Sequence, residues 1–533
     1  MENTMSSLFI LLLLAVVLVS SSSQASEPSP ADFDECLIKT TQAMFFPIPR
    51  NLIYAPGSSN FSSVLNFYVR NLRYATPATP KPRLIVTPTS PIHVRAVVQC
   101  AKRTSFQIRV RSGGHDYDGL SYVSQVPFVI LDLSLFRDIH IDLQSETATV
   151  GVGATTGELY YKIIQASKVH AFPSGSCTTL GLGGHFTGGG YGALARKYGL
   201  AIDNIVDATI VDVQGRILDR KAMGEDLFWA IRGGGASSFG VVINWKIKLV
   251  RVPETLSLFV VDKTLEQGGT DAVDKWQKLA AEDSLDRDLF VRLTFAPANN
   301  GTGNPNVTNT VKITFTGGFL GDSKKLLAYV GKVFPEIGLK QEHIKETDYA
   351  HSTLFWAGSV GPINPSLEAL LNRTPEFSVY FKQHSDFVKT PIPRSGLEAF
   401  WKKVLEQGPL THVAFSPYGG KMREIGESDT PFPHRAGTLF MIQYVSFWKQ
   451  EQQSDKFTQA NNDIYKFFTP YVSSSPRETY LNYRDLDIGT NAGGNKQFGY
   501  MYFKKNFDRL IKIKTAVDPD NFFQFEQSIP TLK

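Results

Sequence analysis

Cysteine is rare in this sequence: 533 residues hold three, Cys36, Cys100 and Cys177. So low a number excludes a fold stapled by many disulfides, and being odd it leaves one thiol over. Long apolar runs are as scarce. The one present, Leu8 to Val19, has twelve residues, short of the ~20 that a membrane-spanning helix needs. It is followed by small residues from Ser20 to Ser26, so residues 1–26 read as a secretory signal peptide, although Glu2 is the only charge ahead of the run and the usual basic start is missing. The chain ends in polar Thr-Leu-Lys with no anchor signal, and no membrane association is expected. Neither sign of charge dominates: 55 Lys and Arg face 50 Asp and Glu, for a net charge of +5 and a pI near 8.8. That surplus suits a wall polysaccharide or an acidic sugar at most, and without a Lys/Arg stripe it argues against nucleic acid. No internal repeat, low-complexity tract or metal-ligand cluster is read.

What is present points to a folded, exported protein. Two-fifths of the residues are hydrophobic, and a chain of this length exceeds one compact core, so a large bilobal unit or two domains is expected. Export favours oxidised cysteines. Cys36 and Cys100 sit in ordinary amphipathic contexts and form the natural pair, whereas Cys177, in Pro-Ser-Gly-Ser-Cys-Thr-Thr ahead of a glycine-dense run, is the thiol with chemistry to explain. Four sequons, at Asn60, Asn300, Asn306 and Asn372, are candidate glycosylation sites. Asn300 and Asn306 share an Asn/Gly/Pro/Thr stretch that reads as an exposed loop.

The texture changes along the chain. Pro-studded turns fill residues 76–91, and from there to about residue 250 apolar strand patterns (Phe128 to Leu133, Ala148 to Gly153, Ile205 to Val213, Val241 to Ile247) alternate with helical ones (Gly157 to Ser167, Lys221 to Ile231). Between about 255 and 475, alternating strands (Leu289 to Phe295, Val311 to Phe315, Leu439 to Phe447) interleave with amphipathic helices such as Ala272 to Ala281, as in an α+β lobe.

Two segments carry most of the glycine: Arg111-Ser-Gly-Gly-His-Asp-Tyr-Asp-Gly119, and Pro173-Ser-Gly-Ser-Cys-Thr-Thr-Leu-Gly-Leu-Gly-Gly-His-Phe-Thr-Gly-Gly-Gly-Tyr-Gly192. With no Cβ in the way, successive backbone N–H groups can converge on an anion such as a pyrophosphate, which makes a dinucleotide the expected guest. Gly190-Tyr-Gly-Ala-Leu-Ala195, with Asp212 downstream, matches a Rossmann fingerprint in letters, but no hydrophobic strand precedes it.

These segments, together with Asp226-Leu-Phe-Trp-Ala-Ile-Arg-Gly-Gly-Gly, Ser238-Phe-Gly-Val-Val, Tyr480-Leu-Asn-Tyr-Arg-Asp-Leu-Asp and Asp518-Pro-Asp-Asn-Phe-Phe, resemble the berberine bridge enzyme-like branch of the vanillyl-alcohol-oxidase flavoproteins over nearly the whole chain. The resemblance implies a two-lobed α+β, PCMH-type FAD-binding fold. It divides the chain into an FAD lobe over 27–255 (core about 77–253), a substrate lobe over 256–475 whose antiparallel sheet roofs the substrate, and a segment 476–533 that completes the FAD lobe. It implies FAD held by two covalent bonds, from His115 to the flavin 8α-methyl carbon and from Cys177 to C6, which should raise the flavin potential and leave its ring open to a wide cleft. The implied cofactor set also takes in Ser112, Gly113, Gly114, Asp116, Gly175, Leu180, Gly181, Gly184, His185, Gly188, Gly189, Gly240, Val242 and Asn521, with His185 as a structural partner.

The same resemblance implies oxidation of an alcohol by hydride transfer to flavin N5 while a base takes the hydroxyl proton. Tyr117, Tyr191, Gln443 and Tyr483 match the pocket positions, with Tyr483 as the base. Alcohol oxidisers of the family often carry lysine two residues before the glutamine; Met441 stands there, and Arg292 is the replacement cation if it points inward. Relatives that react fast with O₂ carry valine where this chain has Leu180, which implies slow reaction with O₂ and another electron acceptor. A monolignol-like phenylpropanoid or the anomeric hydroxyl of an oligosaccharide is the expected substrate, for a monomeric glycoprotein of the plant cell wall or apoplast. The alternatives are a flavin-scaffolded cyclase of a secondary metabolite and a flavin-bearing defence or binding glycoprotein.

Overall fold

The computed structural model describes residues 28–280, 282, 284–300, 308–358, 366–374, 378–493 and 496–532. The signal-peptide segment 1–26 and the sequon asparagine Asn306 lie outside them. The first half folds into two small sheets. In one, Leu84–Val86, Phe128–Asp132 and Gln107–Arg111 run parallel, with Ile53–Tyr54 antiparallel at the edge. The other is antiparallel, in the order Ile139–Asp142, Thr147–Gly151, Val241–Lys248, Ile205–Val211, Ile217–Leu218. Parallel strands need cover on both faces, and Phe128–Asp132 is buried throughout. Helix Pro91–Arg103 packs on this sheet and is pinned to helix Pro30–Ala43 by the Cys36–Cys100 disulfide.

Helix Thr156–Ala166, which follows, shows why the chain turns where it does. Thr155 Oγ1 accepts from the Glu158 N–H at 3.2 Å, and Glu158 Oε2 accepts from the Thr155 N–H at 2.9 Å, so each satisfies a backbone donor the helix start would leave open.

The second lobe is a seven-stranded antiparallel sheet in the order Ile344–Thr347, Leu256–Thr264, Thr310–Phe319, Leu289–Ala298, His412–Pro417, Phe440–Trp448, Tyr380–Val388. Strands Leu289–Ala298 and Phe440–Trp448 alternate between buried and more accessible residues, the period-two pattern of a sheet with one dry face. The dry face packs on helices Gly269–Leu279, Arg394–Gln407 and Ser454–Phe467 around Trp276, Phe400 and Phe415. The other face looks toward the first lobe. The first lobe's core draws on both ends of the chain: Phe33 and Leu37 from one, Phe507, Leu510, Phe523 and Ile529 from the other. Buried Lys514 ties the C-terminal segment to the 235–242 turn, donating to the carbonyls of Ser238 and Phe523 and to Asp518.

Candidate active site

Between the lobes lies a cavity of about 430 Å³, lined by both glycine segments, the 235–242 turn, the 480–484 run and, from the roof sheet, Arg292, Ser416 and Gln443. The first glycine segment is anchored where it leaves its strand. Arg111, fully buried, donates through Nε and Nη2 to Asp132 Oδ2 at 2.8 and 2.6 Å and through Nη1 and Nη2 to the carbonyls of Leu65 and Val64.

The two segments then meet backbone to backbone. A Cβ built on Gly113 would stand 2.3 Å from the Gly181 nitrogen, and one on Gly181 would stand 2.2 Å from the Gly113 nitrogen. These glycines therefore serve close chain approach. Gly184 differs, since a Cβ there would meet nothing within 4 Å and it opens on the cavity. The contact brings His115 and Cys177 together across Thr179, whose hydroxyl lies 2.9 Å from His115 Nε2 and 3.5 Å from Cys177 Sγ. Burial, then the nearby Arg70 charge, pulls the His115 pKa down to about 3, which leaves the imidazole neutral. Cys177 is a free, exposed thiol on the cavity wall.

His185 faces the same cavity and accepts the Gly175 N–H at Nε2, 2.9 Å away, a bond within the second segment. Burial lowers its pKa to about 4. Ser112 donates to the Val152 carbonyl at 2.6 Å. Asp116 accepts the N–H groups of Asp118 and Leu120 and pairs with Arg484 Nε at 3.2 Å. Leu180, Gly240 and Val242 line the cavity; Gly188, Gly189 and Asn521 do not. Gly188 is packed against Asn482, Gly189 against the Tyr480 ring, and Asn521 sits in a left-handed turn (φ 51°) whose N–H donates to the Asp518 carbonyl.

The C-terminal run is stitched to both glycine segments. Asn482 Nδ2 donates to the His185 carbonyl at 2.8 Å, and the Leu486 N–H donates to Asp118 Oδ2 at 2.7 Å. The Tyr480 hydroxyl accepts from the Gly190 and Tyr191 N–H groups and from Asn482, so it is a structural anchor. Tyr191 donates its hydroxyl to the Pro417 carbonyl at 2.6 Å, a bond that removes it as a proton acceptor. Tyr117 and Gln443 meet, Gln443 Nε2 lying 3.3 Å from the Tyr117 hydroxyl. Tyr483 lies between Tyr117 and Tyr480, at ring distances of 5.9 and 5.0 Å, and no hydrogen bond to its hydroxyl is found among the described residues.

Arg292 points inward. It lines the cavity, its buried Nε has no hydrogen-bond partner among the described residues, and its charge counters the upward pull of burial on the Tyr483 pKa. Met441 is buried in the first lobe's core, so the position two residues before Gln443 is apolar. Sequence reasoning missed Trp356, Phe290, Asn482 and Arg484 on the cavity wall; the last two stood in a quoted motif and could have been taken from it.

Residues 82–220 match the model of an FAD-binding domain, and residues 479–530 match the berberine and berberine-like model. Berberine bridge enzyme-like 21 of Arabidopsis thaliana is 46% identical to the chain over 99% of it and 98% of that protein. The chain belongs to the berberine bridge enzyme-like family. Another relative at 46% identity, covering 100% of this chain and 98% of its own, is the monolignol oxidoreductase AtBBE-like 13 of the same plant.

Among solved structures, BBE-like 28 of A. thaliana superposes with a TM-score of 0.87 at 42% identity, over 94% of this chain and 100% of that one. The grass pollen allergen Phl p 4, which has glucose dehydrogenase activity, superposes with a TM-score of 0.86 at 41% identity and the same coverage. Wild-type Phl p 4.0202 is a glucose dehydrogenase, and a Phl p 4 variant with one isoleucine changed to valine is a glucose oxidase. Membership makes this chain an FAD-linked oxidoreductase with the α+β, PCMH-type fold. The cavity suits that cofactor: glycine backbone opens on it at Gly184, and a neutral imidazole and a free thiol face it together.

Proposed function

We propose that this berberine bridge enzyme-like protein oxidises an alcohol CH–OH, with FAD held by two covalent bonds, to His115 and to Cys177. The observation that carries the reading is the convergence of His115, Cys177, Tyr117, Gln443, Tyr483 and Arg292 on one cavity. When bound, the flavin supplies a two-electron acceptor for the hydride leaving the alcohol carbon. Gln443 and Tyr117, already in contact, orient the hydroxyl. Tyr483 takes the hydroxyl proton. Burial raises its pKa and so opposes this, and the Arg292 guanidinium opposes burial. An inward cation therefore stands in for the lysine displaced by Met441, which favours redox chemistry over a flavin-scaffolded cyclisation.

Leu180 lines the cavity three residues after Cys177. Its bulk restricts O₂, and the Phl p 4 pair, dehydrogenase and oxidase, is consistent with one branched side chain deciding that outcome. The Cys36–Cys100 disulfide supports an extracellular life. Asn60 and Asn372 are exposed, as glycosylation requires, and no helix among the described residues is long and apolar enough to cross a membrane.

An anaerobic flavin spectrum before and after adding coniferyl alcohol, cellobiose or an oligogalacturonide tests the reading. Loss of the oxidised band with one of them names the substrate class, and slow recovery in air supports the Leu180 barrier. Survival of the band with every alcohol refutes alcohol oxidation; flavin released by denaturation refutes the covalent bonds.

A further inference from the structure

One buried cation of the first lobe has no carboxylate partner among the described residues. Arg70 is 4% exposed, and its Nε and Nη1 find no hydrogen-bond acceptor there either. The carboxylates of that neighbourhood are taken, Asp132 by Arg111 and Glu158 by Arg373 and Arg137. Arg111 and Arg373 also stand over the Tyr68 ring, at 5.2 and 6.0 Å from its centre. A guanidinium held out of water without an anion is costly, so its presence asks for one that the site itself supplies.

Backbone contacts fix where Arg70 lies. A Cβ on Gly114 would meet the Tyr68 carbonyl oxygen at 2.1 Å, and Asn71 Nδ2 donates to the Tyr117 carbonyl at 2.9 Å, so residues 68–71 run beside 114–117. Arg70 falls between the two contacts, alongside His115. After burial it is the group that most favours a neutral His115. Burial also opposes the charge on Arg70 itself; a thiolate at Cys177 offsets this most, ahead of Tyr68 and Tyr122, while Arg373 opposes it further. Cys177 is open to the cavity, where water screens the attraction, and filling the cavity strengthens it.

One cation thus serves two nucleophiles unequally. It keeps His115 unprotonated, which burial already does, and it holds a thiolate, which a filled cavity would otherwise disfavour. We propose that Arg70 is a positioning residue for cofactor attachment, its guanidinium stabilising the Cys177 thiolate that adds to flavin C6. This rests on the two-bond reading above. The thiolate electron pair forms the S–C6 bond and leaves the flavin two electrons reduced. Dioxygen, in a single turnover that can be slow, takes that pair with the C6 proton and the proton the thiol gave up, and departs as hydrogen peroxide.

Mass spectrometry of flavin-bearing peptides from the purified full chain, with alkylation to count free Cys177, tests this apart from turnover. Wild type carries both bonds. Arg70→Met keeps the bond to His115 and forms the bond to Cys177 on the order of tenfold more slowly, a deficit that Arg70→Lys repairs and that raising the pH by about two units also repairs. Its thermal midpoint does not fall, because an unpaired buried charge has been removed. Formation of the Cys177 bond at the wild-type rate in Arg70→Met overturns the proposal and leaves two-bond attachment standing. Loss of both bonds together, or a Cys177 deficit that neither lysine nor higher pH repairs, marks Arg70 as structural and overturns it as well. Wild-type peptides with no flavin on Cys177 overturn the two-bond reading, and the proposal with it.

Discussion

Replacing Gly113 by alanine puts a methyl group where the two glycine segments touch. The new carbon would lie 2.3 Å from the Gly181 nitrogen, 2.9 Å from its Cα and 3.1 Å from the Thr179 carbonyl oxygen. All three atoms are backbone, so no side chain can swing aside, and about 1 Å of separation is needed to restore ordinary contact. Overpacking of this kind costs about 1–3 kcal/mol, several degrees in Tm for a lobe of this size. The displaced strip includes Thr179, which spans His115 and Cys177, so the loss should appear in cofactor attachment as well as in stability. The assay compares thermal midpoint and the flavin retained after denaturation for Gly113→Ala and for Gly331→Ala, a helix position where the added carbon meets nothing. Gly331→Ala should match or exceed wild type by up to about 1 kcal/mol. Full covalent flavin and an unchanged midpoint in Gly113→Ala would refute the close-approach reasoning.

Arg292→Gln should slow anaerobic flavin reduction near neutral pH. Deprotonated Tyr483 is the active form, so the rate rises with pH, and losing the cation moves that rise upward by about tenfold in rate per unit; an unmoved profile removes Arg292 from the mechanism. Leu180→Val should speed reoxidation in air severalfold with anaerobic reduction unchanged, as read by stopped-flow absorbance, and equal reoxidation rates would end the oxygen-barrier idea. Glu478 is buried, which alone would raise its pKa, but the His434 hydrogen bond and charge, then Lys389, bring it from 4.5 to about 2. Its contribution to stability is thus full above its unfolded pKa and lost as pH falls toward 2. Denaturant melts of Glu478→Gln should show lower stability at neutral pH and a shallower loss between pH 4.5 and 2 than wild type.

Strands with one wet face were legible in the sequence, because the alternation in Leu289–Ala298 and Phe440–Trp448 is local. Strand Tyr380–Val388 was not. Its centre reads Lys-Gln-His-Ser-Asp, a loop by composition, yet residues 381–388 are all buried. Lys382 and His384 both hydrogen-bond Asp485, and Asp386 accepts two hydrogen bonds from the Arg477 guanidinium, one on each oxygen. Partners about a hundred residues away leave no trace in a local pattern. The glycine density announced a crowded backbone, but it could not separate Gly113 and Gly181, which serve the chain contact, from Gly184, which faces the cavity, or from Gly188 and Gly189, which face Asn482 and Tyr480. The pairing of His115 with Cys177 came from family resemblance; its physical cause, the backbone contact of Gly113 with Gly181, needs three dimensions. Asn521 was read as a cofactor contact from its motif, but its place is a turn that lets Phe523 reach the core.

The first lobe closes over residues from both ends of the chain, which sets an order of events during synthesis. Tyr480, Asn482 and Tyr483 leave the ribosome after the whole roof, and Lys514 cannot lock onto the Ser238 carbonyl until nearly every residue is out. Until then His115 and Cys177 face a half-built chamber. Under the proposed two-bond attachment, the cofactor would therefore join after translation, and a ribosome that stalls in the last fifty codons releases a chain with His115 and Cys177 but no finished site around them.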